Sequence, residues 1–203
     1  RFWDRVAGRY AARPVRDEAA YEETLARTRA HLPEGGRALE IGCGTGTTAL
    51  RLAPSLGHLT ATDISSEMIS IARDKDGDGA GTVAFLRAGL GDDVPGAPFD
   101  AVLAFNLLHL LEDLPGALAR VRALLVPGGL FVSKSVCLGG RGYLKPLIAA
   151  LRLAGYAPPV VRFLRPAELE AAIEAAGFEI LERADLPASP PSRFVVARLR
   201  PAV

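Results

Sequence analysis

Apolar and polar positions along this chain fall into blocks whose period keeps changing, short continuous apolar runs giving way to amphipathic stretches and back again. The runs 37–42, 58–63, 82–88, 99–105 and 130–135 are too short for helices and each is built around apolar residues with few charges, which predicts strands covered on both faces. Between them, 45–56, 66–75 and 113–125 repeat with helical spacing, and Ser65 stands where an N-cap hydroxyl is wanted. Strands alternating with helices predict an α/β fold built on a doubly wound, mostly parallel sheet. Ahead of it, 2–32 reads as helix broken near Pro14, with Trp3, Val6 and Tyr10 on one face. Behind it, 143–162 reads as helix except at Pro158 and Pro159, 166–176 as a helix stopped by Gly177, and 178–185 and 194–199 as the last strands.

Composition narrows the class. The 203 residues are 49% hydrophobic and 23% charged with a net charge of +1, which suits one globular domain over 1–203. Arg152 interrupts the longest apolar candidate, 146–164, short of the roughly 18 to 20 residues a bilayer demands. Arg1 comes first and Met68 is the single methionine, so a removed leader stays open. Cys43 and Cys137 lack metal-ligand spacing and read as reduced thiols, which predicts a cytoplasmic setting. With His31, His58 and His109 as the remaining soft ligands, no zinc site is expected. The acids at Asp76 and Asp78 look like half a calcium loop, but the closing glutamate is missing because Arg87 stands there. Between Leu114 and Ala167 every charge is basic, which describes either solvated helix faces or a surface toward an anionic or amphipathic substrate.

The chemistry-bearing run is Leu39-Glu40-Ile41-Gly42-Cys43-Gly44-Thr45-Gly46. It sits between a strand and a helix, and its glycines put no Cβ between backbone and ligand. About 20 residues on, Asp63 closes the next strand, where a carboxylate suits the diol of an adenosine ribose. A dinucleotide fingerprint would need glycine at 47, and Thr47 stands there.

The spacing from Glu40 to Gly46, followed by Asp63, by Phe99-Asp100-Ala101-Val102 and by Leu125-Val126-Pro127-Gly128-Gly129, resembles the class I S-adenosylmethionine-dependent methyltransferases over most of the chain. The resemblance implies seven strands with the last antiparallel, a helical lid over 1–34, and a core over 35–203 with a helical insertion at 139–166. It implies S-adenosyl-L-methionine as cofactor, held by Glu40, Gly42, Cys43, Gly44, Gly46, Asp63, Ile64, Met68, Gly89, Leu90, Asn106 and Tyr10. His109, just past the fourth strand, is the candidate for proton transfer, and a structural histidine is the alternative. Where Gly89 stands the family often carries an acid that accepts from the adenine amino group, so that contact is lost unless Asp92 or Asp93 folds back.

The expected acceptor is a small or lipid-like molecule, quinone-like in one reading. It rests on the absence of an Asn-Pro-Pro-Tyr or Asp-Pro-Pro-Tyr run, of a Pro-Cys pair and of any nucleic-acid module. Residues 143–165 are expected either to admit that acceptor beside a membrane surface or to pack on the sheet edge. Rival functions are an inactive cofactor-binding regulator of the same fold and an NAD-dependent oxidoreductase. Oligomeric state stays open.

Overall fold

Glu40 and its neighbours explain why the first strand lies mid-sheet: after Arg37, every residue of β1 (Arg37–Ile41) is buried, which demands cover on both faces. The computed structural model describes residues 2–77, 83–189 and 191–201. Around β1 run β2 (His58–Asp63), β3 (Val83–Arg87), β4 (Phe99–Phe105), β5 (Leu125–Val136), β6 (Phe178–Ala188) and β7 (Pro191–Leu199). Their order is β3-β2-β1-β4-β5-β7-β6, with β7 antiparallel to both neighbours and the first five strands parallel. This is the doubly wound sheet that the alternating blocks predict.

The helices are α1 (Phe2–Ala11), α2 (Glu18–His31), α3 (Thr47–Leu52), α4 (Ser66–Asp76), α5 (Leu114–Ala123), α6 (Lys145–Leu153) and α7 (Pro166–Ala175). Alternate strand residues feed two cores. Ala38, Leu59, Leu103, Val132 and Phe194 pack with Leu25 of α2, Leu52 of α3 and Ile69 of α4. Leu39, Val102, Phe131 and Val195 pack with Leu118 of α5 and Ile173 of α7 on the other face. A strand that serves both cores has no solvent face to show, hence the lack of a regular polar alternation along it.

Several boundaries differ from expectation. Residues 154–165 leave the helix: α6 stops at Leu153, Gly155 turns with φ 76°, and the chain runs on irregularly past Pro158. Nor does α6 pack on the sheet edge, since none of its residues is buried and Leu153 is 92% exposed. β5 begins at Leu125 because its Pro-Gly-Gly turn is carried as an irregularity in the β4 pairing. β6 runs three residues further than expected. Thr82 of the expected third strand and Asp78 of the calcium-like loop lie outside the described residues. Among the described residues no helix is long and apolar enough to cross a membrane.

Two contacts set the N-terminal helices over the sheet. Glu182 of β6 receives Arg27 at 2.5 Å and His31 at 2.7 Å, tying α2 down. The Ser65 hydroxyl donates to Asp4 of α1 at 2.7 Å while accepting from the Met68 N–H as the N-cap of α4. The second contact sets α1 at the carboxyl ends of β1 and β2, whereas α2 lies on the sheet face with Leu25 in its core.

Candidate active site

The carboxyl ends of β1, β2 and β4 open into a cavity of about 420 Å³, in the size range of small-ligand sites. The glycine turn after β1 forms its floor. Gly44 has φ 54°, and a Cβ there would meet only the Tyr10 ring, at 3.7 Å, so the turn presents bare backbone to the cavity. Asp63 holds the turn from the next strand: Oδ2 accepts from the Gly44 N–H at 3.0 Å and Oδ1 from the Ser65 N–H at 2.9 Å. Burial nevertheless pushes the Asp63 carboxyl up, against those two bonds.

Gly42, Ile64, Met68, Gly89, Leu90, Asn106, Tyr10 and His109 all line this cavity with Gly44 and Asp63, as the sequence suggests. Trp3 of α1 joins them, with Leu107, Leu110 and Val136, apolar positions that carry no sequence signal beyond burial. Asn106 takes the left-handed conformation, φ 55°, where β4 leaves the sheet.

Three expected residues are elsewhere. Gly46 lines no cavity; its φ is 74° and a Cβ would lie 2.8 Å from Ala72 Cβ and from Phe85, so it is glycine for close packing in the core. Cys43 faces a second cavity, and burial first, then Glu40, drives its thiol far above the usual range. Glu40 lines neither cavity; its Oε2 is buried with no hydrogen-bond partner among the described residues, and burial followed by the Asp63 charge raises it to about 8.

His109 is 9% exposed, its Nδ1 is buried with no partner among the described residues, and burial lowers it to about 4, so the ring is neutral at pH 7. Of the two acids that might replace the missing acceptor at 89, Asp92 folds back, its Oδ2 accepting from the Gly89 N–H at 2.7 Å. Asp93 points to solvent and meets Arg120 at 3.3 Å. From 143–165, the expected acceptor entry, Pro158 alone reaches this cavity.

The second cavity, about 760 Å³, shares Tyr10 and Asn106 with the first and lies under the α1–α2 connection. Arg13, Arg16, Tyr21, Lys134 and Ser192 are among its lining. Lys134 was legible only as a lone charge inside the apolar run of β5.

A family model described as a methyltransferase domain matches residues 39–131. A ubiquinone biosynthesis O-methyltransferase of Xylella fastidiosa is 30% identical over 154 residues, 72% of this chain and 62% of that protein. An uncharacterized methyltransferase of Mycobacterium bovis is 36% identical over 92 residues, 45% of this chain and 46% of that protein. The chain belongs to the class I S-adenosylmethionine-dependent methyltransferases. Its cofactor is therefore S-adenosyl-L-methionine, and the oxidoreductase alternative falls away. The matched segments span about half to three fifths of these curated relatives. At the level of fold, the N-methyltransferase NodS of Bradyrhizobium japonicum with S-adenosyl-L-homocysteine superposes with a TM-score of 0.72 at 18% identity, covering 98% of this chain and 99% of NodS. A chain of the Haloferax volcanii complex that contains a methyltransferase activator gives 0.80 at 18% identity, covering 99% and 97%.

The methyltransferase core supports two predictions. Gly46→Ala should lower unfolding free energy by roughly 2 to 4 kcal/mol, combining left-handed strain with overpacking against Phe85, as read by urea denaturation. An unchanged midpoint would show that the turn relaxes freely. The second concerns pH. Glu40, raised from 4.5 to about 8, contributes stability that is lost as pH rises through that window. His109, lowered from 6.5 to about 4, contributes stability that is lost as pH falls through its own window. At about 1.4 kcal/mol per pKa unit the two nearly cancel between pH 4.5 and 6.5, leaving a net decline from 6.5 to 8. Glu40→Gln should flatten that decline, and His109→Gln should extend it down to pH 4.5, in denaturant titrations across pH.

Proposed function

We propose that this chain transfers the methyl group of S-adenosyl-L-methionine to a small-molecule acceptor, and that the cavity over the glycine turn is where the cofactor lies. The observation that carries this reading is the turn itself, bare at Gly44 and held in place by Asp63. The residues present fit the cofactor. The buried, partnerless Oε2 of Glu40 suits a cationic amino group, reached directly or through one water. Asp63 keeps lone pairs for the ribose hydroxyls, and Ile64, Met68, Gly89 and Leu90 offer flanking surface for the adenine.

The bound cofactor supplies an electrophilic methyl on a sulfonium centre, so the protein's work is position and dryness. Trp3 and Tyr10 close the cavity from α1 and exclude water. His109, neutral at pH 7, lines the same cavity, and we assign it the acceptor's proton. The relative named for ubiquinone biosynthesis favours a ring-bearing, quinone-like acceptor over other small molecules.

Calorimetry with S-adenosyl-L-homocysteine tests the cofactor site: Asp63→Ala should weaken binding ten- to a hundredfold, about 1.5 to 3 kcal/mol, by removing charge-assisted hydrogen bonds. Unchanged affinity in a folded variant would sink the assignment, and wild-type protein that binds cofactor yet releases no S-adenosyl-L-homocysteine with any phenolic or catecholic acceptor would be a regulator. His109→Gln should lower kcat at least a hundredfold while cofactor affinity stays within about twofold. Equal losses in both would make the histidine structural.

A further inference from the structure

The second cavity contains a buried cation, Lys134, with no carboxylate beside it among the described residues. Lys134 is 9% exposed, although its strand neighbours Val132 and Phe194 are fully buried core residues. Its ammonium has one hydrogen-bond partner among the described residues, the Thr24 hydroxyl at 2.9 Å, itself only 2% exposed. Thr24 spends its proton on the Ala20 carbonyl at 2.6 Å, so it meets Lys134 as a neutral acceptor. No carboxylate of the described residues lies within ion-pairing distance of Lys134. An ammonium carries three donors and is costly to bury against neutral groups alone, so two donors are left for whatever enters the cavity.

The surrounding charge has the same sign. Arg13 and Arg16 line the rim, and Asp17 is the one acid on this wall, with Oδ1 already accepting from the Ala20 N–H at 2.9 Å as the cap of α2. Tyr21 and Thr48 share a hydrogen bond at 3.3 Å, and Ser192, 6% exposed, adds a hydroxyl. The cavity meets the cofactor cavity at Tyr10 and Asn106, so a molecule seated in it has its far end beside the site of transfer.

We propose that this cavity binds the methyl acceptor through a carboxylate that pairs with Lys134, with Arg13 and Arg16 drawing the anion in from solvent. That the anion belongs to the acceptor rests on the methyl-transfer reading; that the cavity takes a carboxylate does not. Burial lowers the Lys134 ammonium below its usual value, opposed weakly by Asp17, and an arriving carboxylate reverses that shift. Acceptors with an acid group are therefore selected over neutral counterparts of the same shape, because only the acid satisfies the buried cation.

The chain's lysines are Lys75, Lys134 and Lys145, so the titration of each can be followed by NMR after labelling lysine at the ε carbon. Lys75, bonded to Thr45 and Thr47, and Lys145, over the Phe163 ring, serve as internal controls. Benzoate, added to protein saturated with S-adenosyl-L-homocysteine, should raise the Lys134 pKa by about one unit or more, with benzyl alcohol inert and the control lysines still. Lys134→Met should weaken benzoate at least tenfold and leave S-adenosyl-L-homocysteine affinity within twofold. Lys134→Arg should restore benzoate binding. A Lys134 resonance that ignores benzoate overturns the proposal, and this wild-type readout stands even where Lys134→Met does not fold. A Lys134 response to S-adenosyl-L-homocysteine, but not to 5′-methylthioadenosine, would give the lysine to the cofactor's own carboxylate and overturn the acceptor assignment. Protein that binds no S-adenosyl-L-homocysteine would defeat the proposed function, while the benzoate response measured without it would still decide the anion site.

Discussion

The carboxylate of Asp63 is the constraint on which the site is built. One oxygen grips the glycine turn at the Gly44 N–H and the other grips the chain at Ser65, so a single side chain fixes the exits of β1 and β2 relative to each other. Bonds to an ionised acceptor are roughly twice as strong as neutral ones, and here they replace the side-chain contacts a glycine turn cannot make. The turn stays open toward ligand because its rigidity comes from below. Gly46 contributes from the other end, letting α3 start in contact with Ala72 and Phe85.

Around this fixed turn the protein gathers polar groups that its own chain leaves unmatched. Among the described residues, Glu40 Oε2 and His109 Nδ1 have no hydrogen-bond partner, and Lys134 has a hydroxyl where a cation prefers an anion. Elsewhere the interior is packed with aliphatic and aromatic side chains in two continuous cores. Buried polar atoms without partners cost stability, and their concentration at the carboxyl ends of β1, β4 and β5 separates the working end of the sheet from its structural body.

Much of the fold was legible because its strands are short and doubly covered, so each appears as an apolar run with a helix-period block after it. The antiparallel last strand and the pocket residues came through the motif order, Glu40 to Gly46 and then Asp63. What escaped has physical reasons. Glycine spacing does not say which way a missing Cβ would point, so Gly46 looked like a ligand contact and proved to be a packing contact. Apolar content in 143–162 suggested helix broken only at Pro158 and Pro159, whereas α6 already stops at Leu153 ahead of Gly155 and its leucines face outward. Lys134 could not be read as a site residue because its importance comes from Thr24, 110 positions away. The fold-back of Asp92 onto Gly89 is likewise a loop geometry that no periodicity encodes.

The Ser65 hydroxyl has a further consequence. It caps α4 and holds Asp4 of α1 at once, so the helix whose Trp3 and Tyr10 line the cavity over the glycine turn is hooked to the first turn of α4. Ser65 itself is buried, and the same Asp4 oxygen also accepts from the Ser66 hydroxyl at 3.4 Å and the Glu67 N–H at 3.3 Å, so α1 is seated on the whole first turn of α4. Access to the cavity under Trp3 and Tyr10 is therefore governed by how α1 tilts on this cluster of bonds, while the sheet, both cores and the Asp63 grip stay as they are. The doorway moves and the room does not.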